Sequence, residues 1–165
     1  MTVRGNTVED IASRLAGMRV VTVLHFYATG PGQELHAWLS NAGIRESVLC
    51  EHPFPFSARR YARVTCVSRG GATREQRLPR RNWPAPIRYL LDFLRTLRLF
   101  LFAPRCDVYV GNGAFDTLPG LVLRLCGRAG TVILYTIDYA PNAGGRAWYA
   151  RIYRMLDRFC CRHAD

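Results

Sequence analysis

The sequence predicts an α/β fold: an open, mostly parallel sheet with helices on both faces. Three observations carry this. Apolar, β-branched runs alternate along the chain with segments whose apolar residues recur at helical spacing. Glycine-bearing turns stand where the runs give way to those segments. Of the 165 residues, 49% are hydrophobic, a globular composition with enough apolar material for one core. Alternation of this kind implies parallel strands joined by right-handed crossovers.

Residues 1–17 read as an N-terminal extension. Thr7-Val8-Glu9-Asp10 resembles a capping box, and a short helix is expected to run to Leu15. The domain proper is expected over 18–165. "MRVVTVLHFY" from Met18 has the continuous β-branched character of a buried parallel strand. "ATGPGQELHAWLSNAG" follows, with Leu35, Trp38, Leu39 and Ala42 on one helical face and Gly43 as its stop. "IRESVLCE" is a second strand, "HPFPFSARR" a proline-interrupted loop, and "YARVTCVSR" a third, alternating strand. Arg69 to Pro86 reads as a long loop rich in glycine and arginine. A helix is expected from Ile87 to about Phe102, ending before Pro104. "CDVYVGNG" is a fourth strand. Leu118, Leu121, Val122 and Leu125 mark the next helix, which Gly127 stops. "TVILYTID" is a fifth strand. A last helix is expected from near Gly145, with Tyr149, Ile152, Tyr153, Leu156 and Phe159 as its apolar face and Arg151, Arg154, Arg158 and Arg162 as a basic stripe. The order describes a Rossmann-like domain.

The formal charge is +11, and all 23 basic residues are arginine. The lack of lysine favours codon usage over selection for nucleic acid. A basic balance still attracts phosphate in a membrane, a nucleotide or a nucleic acid. Nucleic acid ranks last, because no stacking platform or recognition motif is visible. Between residues 58 and 82, eight arginines stand against one acid, Glu75, with Trp83 next to them. That suits an anionic membrane surface, a phosphorylated acceptor or a solvated loop. None of the six cysteines forms CxxC and the histidines are scattered, so buried thiols are expected and no metal site. The N-terminus lacks the apolar core of a signal peptide. The longest apolar segment, Ile87 to Ala103, is interrupted by Arg88, Asp92, Arg95 and Arg98 and does not read as a spanning helix. These features lead to the expectation of a cytoplasmic protein, with peripheral contact to the inner face of the membrane as an open alternative.

Ligands of an open parallel sheet bind at the carboxyl ends of its strands. Three such ends are candidates. In "HFYATGPGQEL", Gly30 and Gly32 would let the backbone and a helix N-terminus approach an anion, or form a plain turn. Leu35 occupies the third glycine position of the dinucleotide pattern. In "VGNGAFDTLPG", Asn112 follows the fourth strand, and Asp116 or Thr117 suits helix capping better than ligand binding. In "TVILYTIDYAPNAGG", Asp138 ends the fifth strand, as a rim carboxylate or an Asx turn. His25 ends the first strand, facing the cleft or satisfied in the core. His36 and His52 show no partner in the sequence.

These segments together resemble the N-terminal domain of family 4 glycosyltransferases, over about Met18 to Asp165. The likeness lies in "FYATGPGQELHAWLSNAGIRESVLC", in "DVYVGNGAFDTLPGLVLRLCGRAGTVILYTIDYAP", and in Ile152-Tyr153, Leu156-Asp157-Arg158 and Ala164-Asp165 of the last helix. Ile137 stands before Asp138 where that family commonly has histidine. The resemblance implies one half of a GT-B architecture, truncated at its C-terminal end. It implies the acceptor side of a cleft for sugar transfer from a nucleotide-sugar donor to a glycan or lipid-linked acceptor. No cofactor is implied, and a donor-binding C-terminal domain would be required in cis or in trans. The substrate-binding candidates are then His25, Gly30, Gly32, Asn112, Asp116 and Asp138, with no catalytic residue assigned. The rival expectation is a non-catalytic Rossmann-like module that binds an anion or a partner.

Overall fold

A computed structural model of the chain describes residues 13–26, 30–54, 57–136 and 148–165. Six strands form one sheet: β1 (Arg19–Phe26), β2 (Glu46–Pro53), β3 (Tyr61–Ser68), β4 (Thr73–Pro79), β5 (Cys106–Asn112) and β6 (Ala129–Tyr135). Among the described residues, the helices α1 (Pro31–Asn41), α2 (Ala85–Leu101), α3 (Ala114–Leu125) and α4 (Trp148–His163) accompany them. The strand order is β4-β3-β2-β1-β5-β6. The β2-β1-β5-β6 portion is parallel, and the β3–β4 hairpin continues it antiparallel from β2. The expected α/β architecture is the observed one.

Side-chain alternation explains the two layers. Val21 and Val23 of β1, with Val48 and Cys50 of β2 and Tyr109 of β5, pack with Phe100 of α2, Leu121 and Leu123 of α3, and Cys160 of α4. Val20 and Val110 turn the other way, where Leu39 of α1 and Ile44 cover them. Helix α1 follows β1 and α3 follows β5, and they lie on opposite faces. The chain therefore reverses direction across the sheet between β1 and β5, which is where an open parallel sheet forms its crevice. At the opposite end, the Arg19 guanidinium bonds Glu46 and the Pro104 carbonyl, and its backbone N–H donates to Asp107 at 2.7 Å.

Several expectations are corrected. Arg69–Pro86 is not one long loop, because β4 runs antiparallel to β3 from Tyr61↔Pro79 to Val67↔Thr73. Gly70 and Gly71, at φ +101° and +83°, make the turn, and the backbone ladder forms although β4 is almost entirely polar. The apolar face read for α4 is largely open, with Ile152, Tyr153 and Phe159 exposed, and Cys160 is the buried contact. Cys126 and Cys161 are exposed too, whereas Cys50, Cys106 and Cys160 are buried. Gly43 and Gly127 do terminate α1 and α3, at φ +70° and +69°. The capping box at Thr7–Asp10 and the turn at Asp138 lie outside the described residues. Among the described residues, no helix is long and apolar enough to cross a membrane.

Candidate functional site

The carboxyl end of the sheet holds two separate groups of candidate residues, one on each face. Glycine and threonine build the first corner. Gly113 turns β5 into α3 at φ +95°, a conformation that other residues rarely adopt. Thr117 donates its hydroxyl to the carbonyls of Gly113 and Gly111, at 2.8 and 3.2 Å. Neither Thr117 nor Asp116 caps the helix through its side chain. Instead Asp116 reaches across to β1. One carboxylate oxygen accepts the backbone N–H of His25 at 3.0 Å, and the other lies 2.8 Å from His25 Nδ1. The Tyr109 hydroxyl donates to the Asp116 carbonyl at 2.8 Å, which anchors the same turn from below.

His25 has a second carboxylate on its far side. Its Nε2 lies 3.5 Å from Asp92 of α2, and Asp92 lies 3.5 Å from His52 Nδ1. Neither imidazole nitrogen has a hydrogen-bond partner among the described residues. Asp92 is held on its outer side by the buried guanidinium of Arg80, which also bonds the Pro53 carbonyl. His52 and Thr96 meet at 2.8 Å through Nε2 and Oγ1. The histidines sit side by side because His25 and His52 are register partners on adjacent parallel strands. The rings of Phe54 and Tyr89 close over His25, and Tyr89 stacks on Phe115 at 4.7 Å.

Burial alone would push the His25 imidazole toward its neutral form, but the carboxylates of Asp116 and Asp92 outweigh it and raise the pKa from 6.5 to about 9. Asp92 is held below the usual carboxylate range: burial opposes ionisation, but His25, His52 and Arg80 overcome it. Near neutral pH the cluster is therefore an imidazolium between two carboxylates. Both ring nitrogens face carboxylates, so this positive charge is balanced within the cluster, with the Arg80 guanidinium as a further cation on Asp92. Above the pKa of His25, with Nδ1–H still held by Asp116, its Nε2 becomes a proton acceptor.

The second group is on the α1 face. Gly32 is small for packing reasons, since a Cβ there would stand 2.5 Å from Leu24 Cδ2. The same Cβ would stand 3.8 Å from Asn112 Nδ2, so Gly32 and Asn112 adjoin at the rim. The N–H of Gly30 is already engaged, donating to Gln33 Oε1 at 2.9 Å. Gln33 in turn donates to the buried Glu51 at 3.2 Å, and Glu51 is paired with Arg63. Glu34 in the first turn and Glu51 beside it place negative charge at the helix N-terminus, where a phosphate would otherwise be favoured. The Gly30–Gly32 turn thus works as a packed and capped corner.

The structure joins His25 to Asp116, and Gly32 to Asn112, and keeps these pairs on opposite faces. It adds Asp92, His52 and Arg80, which the sequence did not mark as site residues. Asp92 had stood only as an interruption of an apolar run. His52 does have partners, and so does His36, whose Nδ1 lies 2.7 Å from Ser47 Oγ. The usable signal was periodic: Arg88, Asp92 and Thr96 recur every four residues, and all three are buried. Among the described residues no group of three or more His, Cys, Asp or Glu is placed to hold a metal ion.

No protein-family model matches the chain, and no curated protein matches it in sequence.

Proposed function

We propose that this chain forms the acceptor side of a cleft in which a sugar passes from a nucleotide-sugar donor to a glycan or lipid-linked acceptor. The observation that carries the proposal is the Asp116–His25 pair, with Nδ1 of the imidazole 2.8 Å from the carboxylate at the β1–β5 switch point. A leaving diphosphate develops negative charge, and the cations of this cluster, the His25 imidazolium and the Arg80 guanidinium, are what this chain would bring to its stabilisation. The ordered likeness of residues 18–165 to family 4 glycosyltransferase N-terminal domains supports the same reading. In this proposal a donor-binding unit, in cis or in trans, faces the crevice and excludes water during transfer.

The alternative is a non-catalytic module that binds an anion or a partner. Burial of the His25 side chain, of which 7% remains exposed, favours it. Nucleoside diphosphate release from a panel of nucleotide sugars by the full-length gene product separates the two readings. Asp116→Asn keeps the side-chain shape but withdraws the charge from His25. On the transferase reading it lowers kcat by about 100-fold with little change in donor KM. Saturable binding with no turnover in the wild type decides for the module, whereas unchanged turnover in a folded Asp116→Asn variant removes the Asp116–His25 pair from the transfer.

A further inference from the structure

Helix α2 is inverted relative to an ordinary surface helix. Its inward stripe is Arg88, Asp92 and Thr96, joined by Phe100 one turn later, and all four are buried. Its outward side carries Ile87, Leu90, Leu91 and Leu94, of which Leu90 and Leu94 are 56% and 49% exposed. Trp83 precedes the helix and Phe102 follows it, both exposed. The inversion has a local cause. Asp92 and Thr96 are drawn inward by Arg80 and His52, and on one rigid helix this turns Leu90, Leu91 and Leu94 outward, while Leu97 and Leu99 farther along pack on the core.

Apart from one paired acid, the charges on α2 itself have one sign. The only acid on α2 is Asp92, which is buried and paired with Arg80. Arg95 and Arg98 stand among the outward leucines. Arg80, Arg81, Arg88 and Arg95 line a cavity of about 160 Å³ with Trp83 and Leu91. The Arg81 guanidinium lies over the Trp83 ring at 5.5 Å. Arg95 donates Nη2 to the Pro79 carbonyl at 3.1 Å, while its buried Nη1 has no hydrogen-bond partner among the described residues. The connection to Pro79 places the helix beside β4, whose Arg74 and Arg77 are exposed, Arg77 being paired with Glu75 at 2.9 Å.

We propose that the outward face of α2 docks on an anionic lipid bilayer, its leucines entering the acyl boundary and its arginines taking lipid phosphates. A convex apolar ridge with a cationic border meets a bilayer surface without needing a shaped partner. A second copy of this chain is a poor occupant, because face-to-face contact would set Arg81, Arg95 and Arg98 against their own counterparts. An acidic protein would satisfy the arginines, but it would have to supply a groove for the leucines. This proposal does not depend on the sugar-transfer reading.

Vesicle co-sedimentation of the full chain tests it, with phosphatidylcholine vesicles compared with phosphatidylcholine–phosphatidylglycerol vesicles. Binding is expected to the anionic vesicles alone and to weaken with added salt. Leu90→Glu with Leu94→Glu changes only exposed positions and should reduce it by about tenfold or more. Arg98→Gln should reduce it less. In the unaltered chain, brominated acyl chains should quench tryptophan fluorescence, and Trp83→Phe should remove most of that quenching. Equal binding to zwitterionic vesicles overturns the proposal, as does anionic binding that survives the double leucine variant. Self-association abolished by that variant, with no vesicle binding in the parent, overturns it in favour of a second copy.

Discussion

His25 is surrounded by titratable groups from three elements: Asp116 from α3, Asp92 and Tyr89 from α2, and His52 from β2. Its pKa rises from 6.5 to about 9 on folding, so it contributes stability in full below 6.5 and loses that contribution as pH rises through about 9. Asp92 moves the other way: its contribution is present above the ordinary carboxylate range and is lost as acid protonates it. The urea midpoint should therefore fall on both sides of neutrality. His25→Gln should shrink the alkaline limb, of which His52, also raised to about 9, keeps a share, and should weaken the acid limb because Asp92 loses one of its cationic partners. A midpoint unchanged between pH 6.5 and 9.5 would contradict a charged His25 in the folded chain. At this scale the sequence offered the right residues without their partners. His25 and Asp116 are 91 positions apart, and their contact follows only from the pairing of β1 with β5.

Helix α2 was legible as an element. The bounds read from the sequence, Ile87 to Phe102, differ by at most two residues from the observed Ala85–Leu101. Its orientation was not legible, because apolar residues occupy most phases of the helix and pattern alone does not choose an inner face. Two partners from other elements, Arg80 and His52, made the choice. The two faces should differ in mutational cost. Asp92→Ala leaves the Arg80 guanidinium buried without its carboxylate and should cost about 3–5 kcal/mol. Leu90→Ala, on the open face, should stay within about 0.5 kcal/mol. Urea titrations of the two variants measure both, and equal costs would show that the helix is not inverted. The β3–β4 hairpin was missed for another reason. Its Gly70-Gly71 turn was visible, but β4 lacks apolar alternation, and its ladder comes from backbone pairing that side chains do not announce.

Across the whole molecule, stability is graded along the sheet. β1 is central, and Arg19 to Leu24 are all buried between β2 and β5. β4 is an edge strand with nearly every residue exposed, and it pairs only with β3. Hydrogen exchange should be slowest in β1 and fastest in β4 among the strands, by about two orders of magnitude or more. Comparable protection in both would mean that the hairpin is covered in solution. The arginine of that edge also keeps it from pairing with other chains. The same layout decides which candidates act together. Gly32 with Asn112 and His25 with Asp116 share the carboxyl edge but are separated by the sheet, so the two pairs stand on different faces.

By itself the sequence determined the α/β class, the place of the main helices and parallel strands, the stops at Gly43 and Gly127, and the strand ends that carry His25 and Asn112. These follow from local periodicity and turn chemistry, which act over a few residues. Only the tertiary structure decided that Asp92 is the hub of a buried charge cluster. It likewise decided that Asp116 holds an imidazole instead of capping a helix, and that α2 presents its leucines outward. Each of these depends on which distant group supplies the compensating charge or hydrogen bond. A buried carboxylate is tolerable only beside such a group, and chain separation says nothing about which group the fold brings there.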